Sequence, residues 1–308
     1  MSRSVRNVAE SVRARLLNIF REAGGTFDLF LRRYASERFL YRLGESPHRD
    51  RFVLKGAALL AVWGGSHYRP TRDLDFTSFG DGDEENILRC FREILEVPVV
   101  DDGLHFEVAT LTAESIRDLA EYEGLRVEFL AHLGQARIPM RIDIGFGDVI
   151  VPPASRVEYP ALLGDPGPRI RAYPREAVIA EKLHALVTHG ERTSRFKDFY
   201  DMYLLAKERD FVGERLAAAI EATFGQRGRP IEIEIPVGLS RRFFREPARA
   251  GQWRAYLSRS RLDRVPAEFS AVGELLRTFL APPWTSLTAG EPFRSTWQAG
   301  GPWQEPAA

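Results

Sequence analysis

The chain has 308 residues, 44% of them hydrophobic, enough to bury a large core, and a division into two lobes is expected. Lysine plus arginine number 43 and aspartate plus glutamate 43, so the formal charge is zero and bulk charge excludes a generally basic, nucleic-acid-coating protein. The single cysteine, Cys90, excludes an intramolecular disulfide and a cysteine-based zinc cluster, as expected in a reducing compartment.

Residues 1–20 are arginine-rich and amphipathic with no long apolar run. Neither a signal peptide nor a membrane span is expected, and the reading is a soluble cytoplasmic protein. Two helices are predicted, Val8 to Arg21 and Thr26 to Leu43, separated by Gly24-Gly25, with Thr26 capping the second. Gly44 to Asp50 links them to a sheet-bearing core from Arg51 to about Val151. In that core Phe52-Val53-Leu54 leads into Lys55-Gly56, and Ala57 to Trp63 reads as a helix stopped by Gly64-Gly65. Glycine at the mouth of a helix lets a phosphate approach free backbone N–H groups.

The run Asp73-Leu74-Asp75-Phe76 follows. In a strand alternate side chains share a face, so Leu74 and Phe76 can enter a core while Asp73 and Asp75 point together into a cleft. Side-by-side carboxylates repel, and a hard divalent ion bound by carboxylate oxygens and substrate phosphates is the usual relief. A solvated turn is the plainer reading of such a pair taken alone.

Lys55-Gly56-Ala57-Ala58 with Arg69-x-Thr71-x-Asp73-x-Asp75 resembles the polymerase-β-like nucleotidyltransferases, and within them the AbiEii/AbiGii toxins, which include the MenT-type toxins of mycobacteria. Ala57 departs from the pattern, in which a second small residue, often glycine, follows Gly56. The resemblance implies an α+β fold: a nucleotidyltransferase core of mixed or antiparallel sheet with helices, plus a helical C-terminal lobe. It also implies a third carboxylate on a neighbouring strand. Met140, Ile142 and Ile144 alternate with Arg141 and Asp143, so Asp143 leaves the core on the opposite face and is the candidate. Val127, Phe129, Ala131 and Leu133 alternate in the preceding run, which reads as its antiparallel neighbour through a turn at Gly134. A charged residue on the wet face of a half-buried sheet is the alternative for Asp143. Glu84 to Glu96 is a predicted helix and His105 to Leu111 a predicted strand.

After a Pro- and Gly-rich connection from Pro152 to Pro174, Ile179, Leu183 and Leu186 form a helical stripe with Lys182 at its edge, facing inward. Gly190 ends that helix, Ser194 is the expected cap of the next, and Asp198 and Asp201 share one face. Glu181-Lys182-Leu183 followed by Arg195-x-Lys197-Asp198-x-x-Asp201 again resembles the AbiEii-type toxins. By that resemblance Lys182 binds the triphosphate and counts as catalytic with Asp73, Asp75 and Asp143, the three ligands of Mg²⁺. Lys55, Gly56, Arg195, Lys197 and Asp198 complete nucleotide binding. The alternative is that these charges only pair with one another to hold two helices together.

Further helices are expected at Phe211 to Phe224 and Phe269 to Leu280. Between Ser240 and Arg264 eight arginines face two acidic residues, interleaved with Phe243, Phe244, Trp253 and Tyr256. This is either an RNA-binding patch or an amphipathic segment with solvated arginines and core aromatics. Residues 282–308, Pro- and Gly-rich with Trp284, Trp297 and Trp303, are expected as a disordered tail or an arm packing on a partner. The expected division is 1–50, 51–151, 152–281 and 282–308.

The activity implied by the resemblance is transfer of a nucleoside monophosphate from an NTP to RNA, a tRNA 3′ end, blocking translation, with a cognate antitoxin encoded nearby. A metal-dependent phosphohydrolase or nuclease could use the same carboxylates, and a nucleotide-binding switch without catalysis could use the same site. His48-Arg49-Asp50 mimics a kinase loop, but Lys55 stands where its metal-binding asparagine belongs. Gly145-x-Gly147 lacks the third glycine of a dinucleotide fingerprint.

Overall fold

The computed structural model describes residues 7–64, 69, 71–117 and 123–305. Gly65, named above, lies outside the described residues. The chain divides into two compact units, Met1–Asp148 with Ser155–Ala172, and Val149–Ala154 with Tyr173–Ala308. The N-terminal helices therefore share a unit with the sheet, and residues 282–308 belong to the second unit.

The first unit is built on a seven-stranded sheet. Its strands are β1 (Phe52–Lys55), β2 (Leu74–Ser78), β3 (Leu104–Arg117), β4 (Glu123–Leu133), β5 (Ala136–Phe146), β6 (Ser155–Glu158) and β7 (Arg169–Ala172), in the order β3-β4-β5-β2-β1-β7-β6. Two pairings, β2 with β5 and β1 with β7, are parallel and the other four antiparallel, which gives the mixed α+β class expected. Among the described residues four helices complete the unit: α1 (Val8–Ala23), α2 (Phe27–Glu45), α3 (Leu60–Gly64) and α4 (Glu84–Leu95). Asp83 caps α4 by accepting from the Asn86 N–H at 3.2 Å, and Ile87, Cys90, Phe91, Ile94 and Leu95 form its buried stripe.

Alternation along β5 is as read: Ile138, Met140, Ile142 and Ile144 are buried while Arg141 is exposed and Asp143 half-buried. The apolar face carries an aromatic cluster. Phe39 of α2 stacks on Phe91 of α4 at 5.6 Å and contacts Phe76, Phe106 and Phe129 of the sheet. Each such ring contributes on the order of 1.5–3 kcal/mol on burial, and the cluster fixes which way β2 and β5 face.

Several expectations are corrected. The segment after Lys55 is a 3-10 turn, Gly56–Leu59, followed by the five-residue α3, so no long helix dipole stands behind Gly56. β3 runs past Leu111 to Arg117 across a register shift between Glu107 and Thr112. There the Thr110 hydroxyl bridges, donating to Glu107 O at 2.7 Å and accepting from Leu130 N–H at 2.9 Å. The connection from Pro152 to Pro174 contains β6 and β7.

α2 also buries charge. Arg42 makes two hydrogen bonds to the Asp102 carboxylate, at 2.7 and 3.2 Å, and Tyr34 donates to Asp102 O at 2.8 Å. Glu37 is fully buried, accepts from Leu162 N–H at 2.7 Å, and lies 3.7 Å from Arg38. Burial pushes its carboxyl up to about 7, against the lowering effect of Leu162 N–H and Arg38.

The second unit holds α5 (Arg175–His189), α6 (Phe196–Glu208), α7 (Gly213–Gln226), α8 (Arg241–Arg245), α9 (Pro247–Ser260) and α10 (Phe269–Ala289). A small sheet of β8 (Phe211–Val212), β9 (Thr296–Trp297) and β10 (Trp303–Gln304) completes it. Ser194 does not cap α6; Arg195 takes the cap position, with its N–H donating to Thr193 Oγ1 at 3.4 Å. α10 continues through Pro282 and Pro283, which cost helical hydrogen bonds; buried Trp284 anchors that turn by donating to Glu232 O at 2.9 Å. The segment read as a disordered or partner-seeking tail packs on its own unit. Trp297 is fully buried, donates to Ala206 O at 2.7 Å, and joins Phe279 and Trp303 in one aromatic cluster. Phe243, Phe244 and Trp253 are core, as the amphipathic reading of Ser240 to Arg264 expects for the aromatics.

Glu37 supplies a pH test. A carboxyl whose folded pKa is raised contributes stability that is complete below about 4.5 and is lost as pH rises through about 7. In urea titrations at pH 5 and pH 8, wild type should lose about 3 kcal/mol relative to Glu37→Gln over that interval. Parallel pH profiles would contradict the burial account.

Candidate active site

Strand registers place four charged residues in one row across the polar face of the sheet. Lys55 of β1 pairs with Asp75 of β2, Asp75 with Asp143 of β5, and Asp143 with Arg126 of β4. The order is cation, carboxylate, carboxylate, cation. Neighbouring strands are about 4.8 Å apart, so the parallel pairing of β2 with β5 puts the two aspartates side by side. Asp73 lies in the bend one residue before β2 begins, half-buried, and acts electrostatically on Arg141 of β5.

The flanking cations are held tightly. Arg126 Nε and Nη2 donate to the two oxygens of Asp143 at 2.8 and 2.9 Å, with both side chains about a quarter exposed. The hydrogen bond with Asp143 pushes the Arg126 guanidinium pKa further up. Lys55 Nζ donates to Asp148 Oδ2 at 2.5 Å, both largely buried. Asp148 is delivered by the turn at Gly147, φ +78, just past β5. Neither Arg126 nor Asp148 was found by sequence reasoning. Arg126 carried a usable signal, since it alternates with Val127 and Phe129 and so faces the side to which Asp143 was assigned.

Gly56 serves the row in an unexpected way. Its φ is +69, and a Cβ built on it would lie 2.1 Å from Asp75 Oδ2 and 2.8 Å from its Cγ. The glycine is there for the Asp75 carboxylate to close over it. The donor chemistry of Asp73, Asp75 and Asp143, carboxylate oxygens only, fits a hard divalent ion. Among the described residues no three acidic, histidine or cysteine side chains are gathered as a ready-made metal cage.

The second unit collects the other expected residues. Lys182 of α5 donates to Asp198 and Asp201 of α6, both at 2.8 Å, and Arg195 Nε donates to Asp198 at 2.5 Å. Asp198 and Asp201 are buried, Arg195 is exposed, and Lys197 is exposed outside this knot. The pairing weighed as the alternative is thus present. Burial would raise the Asp198 carboxyl, but Lys182 and Arg195 hold it well below the usual carboxylate range. Beside it, Arg227 donates to Glu181 at 3.3 Å and lies 3.1 Å from His184 Nδ1. Burial, then Arg227 and Arg229, push His184 down to about 4, so it is neutral at pH 7.

Two outcomes follow from these contacts. Gly56→Ala should destabilise the first unit by about 2 kcal/mol, and removal of the carboxylate in Asp75→Ala should relieve about 1 kcal/mol or more of that cost in the double variant; additive effects in urea titrations would contradict the close approach. Asp198 contributes stability that is present above its unfolded pKa of about 3.9 and lost as pH falls toward its lower folded value. Asp198→Asn should therefore cost about 3 kcal/mol at pH 7 and progressively less below pH 4. Tryptophan fluorescence reads this directly, because Trp253, Trp284, Trp297 and Trp303 all lie in the second unit; a deficit independent of pH would contradict it.

No curated protein matches the chain. Two solved structures from Helicobacter pylori resemble it. One, a protein inferred to be a nucleotidyltransferase, is 16% identical over 82% of this chain and 94% of its own, with a TM-score of 0.44. The other, JHP933, is 14% identical over 82% and 93%, with a TM-score of 0.36. At such scores the likeness carries no argument about the site. The sequence profile of the AbiEii nucleotidyl transferase toxins, of a type IV toxin–antitoxin system, matches residues 38–277. That span is most of the chain and includes both the charged row and the Lys182 knot: the protein belongs to the AbiEii toxin family and is a nucleotidyltransferase.

Proposed function

We propose that the protein transfers a nucleoside monophosphate from an NTP to RNA, at the 3′ end of a tRNA, and so blocks translation as the toxin partner of a nearby-encoded antitoxin. The observation that carries the reading is the side-by-side placement of Asp75 and Asp143, with Asp73 in the bend just before β2. Such a set has one evident use in a nucleotidyltransferase, to hold Mg²⁺ against the phosphates of the substrate. When bound, that ion supplies Lewis-acid stabilisation of the phosphoryl oxygens and activates the attacking hydroxyl.

The chain's own residues do the rest. Asp73, Asp75 and Asp143 hold the acidic side of the site, and Gly56 keeps the Asp75 carboxylate in place by offering no side chain. Lys55, anchored by Asp148, sets positive charge at the β1 end of the row, where it offsets a polyphosphate. In the second unit Lys182 is the proposed triphosphate contact, with Arg195, Lys197 and Asp198 in support; Asp198 and Asp201 accept hydrogen bonds from its largely buried ammonium. In the reaction the RNA hydroxyl oxygen bonds to the α-phosphorus, the α–β bridge breaks, and pyrophosphate leaves. No described helix is long and apolar enough to cross a membrane.

Incubation with α-phosphate-labelled NTP, Mg²⁺ and total tRNA tests the proposal. Label should enter RNA, and Asp75→Asn or Asp143→Asn should reduce incorporation by about 100-fold or more. Shortened, unlabelled RNA would instead establish hydrolysis, and undiminished cellular toxicity of Asp73→Ala would count against catalysis.

A further inference from the structure

Asp143 gives both carboxylate oxygens to Arg126, one to Nε and one to Nη2. A carboxylate so engaged cannot also offer its best lone pairs to an ion. Arg126 has somewhere else to go. Glu114 of β3 is its cross-strand partner on the far side, Glu128 lies two residues along the same face of β4, and both already act electrostatically on its guanidinium. Glu128 is committed to Arg141 at 2.8 Å, whereas Glu114 is exposed. Asp143 and Glu114 thus stand on opposite sides of one arginine.

We propose that Arg126 is a positioning residue that sets the divalent-ion affinity of the site by competing for Asp143, and that Glu114 receives it when an ion binds. This rests on the reading that Asp75 and Asp143 hold the ion. Without an ion, Arg126 neutralises one of two adjacent carboxylates and keeps Asp143 in a single orientation. Binding of an ion beside Asp75 withdraws an Asp143 oxygen, and the guanidinium turns from β5 toward β3, exchanging one carboxylate partner for another. No bond to carbon or phosphorus changes; one charge-assisted pair replaces another. Arg126 and its partner Glu114 therefore affect ion affinity with opposite sign, which a merely structural arginine would not do.

The test uses the full-length protein and Mn²⁺ alone, with free Mn²⁺ read by electron paramagnetic resonance and no nucleotide present. Arg126→Leu should bind Mn²⁺ about tenfold more tightly than wild type, Arg126→Lys should fall between, and Glu114→Gln should bind about threefold more weakly. Near-UV circular dichroism confirms folding, and Glu114→Gln, at an exposed edge position, provides the reading if Arg126→Leu does not fold. Unchanged or weaker binding in folded Arg126→Leu, or unchanged binding in Glu114→Gln, would overturn the inference. Absence of Mn²⁺ binding in wild type together with its absence in folded Arg126→Leu would instead overturn the ion site itself.

Discussion

The parallel pairing of β2 with β5 is the constraint on which the rest of the first unit depends. It sets Asp75 against Asp143 with no residue between them. Carboxylates on neighbouring positions repel, and other parts of the structure oppose the relaxation of this arrangement. On the reverse face Phe39, Phe76, Phe91 and Phe129 lock the strands in register. On the polar face Lys55 and Arg126 flank the pair. Gly56 admits the Asp75 carboxylate to a position that any other residue would block. Folding energy spent in the core thus holds like charges together, an arrangement useful chiefly to a protein that binds a cation with polyphosphate.

The second unit solves a different electrostatic problem. Lys182 is largely buried and two buried aspartates accept from it, with Arg195 balancing the second negative charge. Such a knot is costly to break and adds rigidity more than net stability. Its pH response is opposite to that of Glu37 in the first unit: Asp198 loses its contribution as acid is added, Glu37 as acid is removed. The two units are therefore expected to weaken at opposite ends of the pH scale.

Period-two alternation made β2, β4 and β5 readable, and with them the shared face of Asp75 and Asp143. Strand order was not readable. Only pairing tells that Asp143 neighbours Asp75 and that Arg126 neighbours Asp143, because strand adjacency is a long-range property that residue spacing does not encode. β6 and β7 were missed since four residues with one apolar position (Ser155-Arg156-Val157-Glu158) or two (Arg169-Ile170-Arg171-Ala172) carry too little periodicity inside a Pro- and Gly-rich stretch. Composition misled at the C-terminus. Trp284, Trp297 and Trp303 overcome the prolines and glycines around them, since each indole buries apolar area and finds a carbonyl for its N–H. At Gly56 the need for a glycine was legible, whereas the Asp75 carboxylate that closes over it was not.

Crystals grown with Mn²⁺ and a non-hydrolysable NTP give the most direct measurement. An anomalous difference peak within coordination distance of carboxylate oxygens from both Asp75 and Asp143 is the predicted result. A peak elsewhere, or nucleotide bound with Asp143 turned away from Asp75, would contradict the claim that the β2–β5 pairing builds the site.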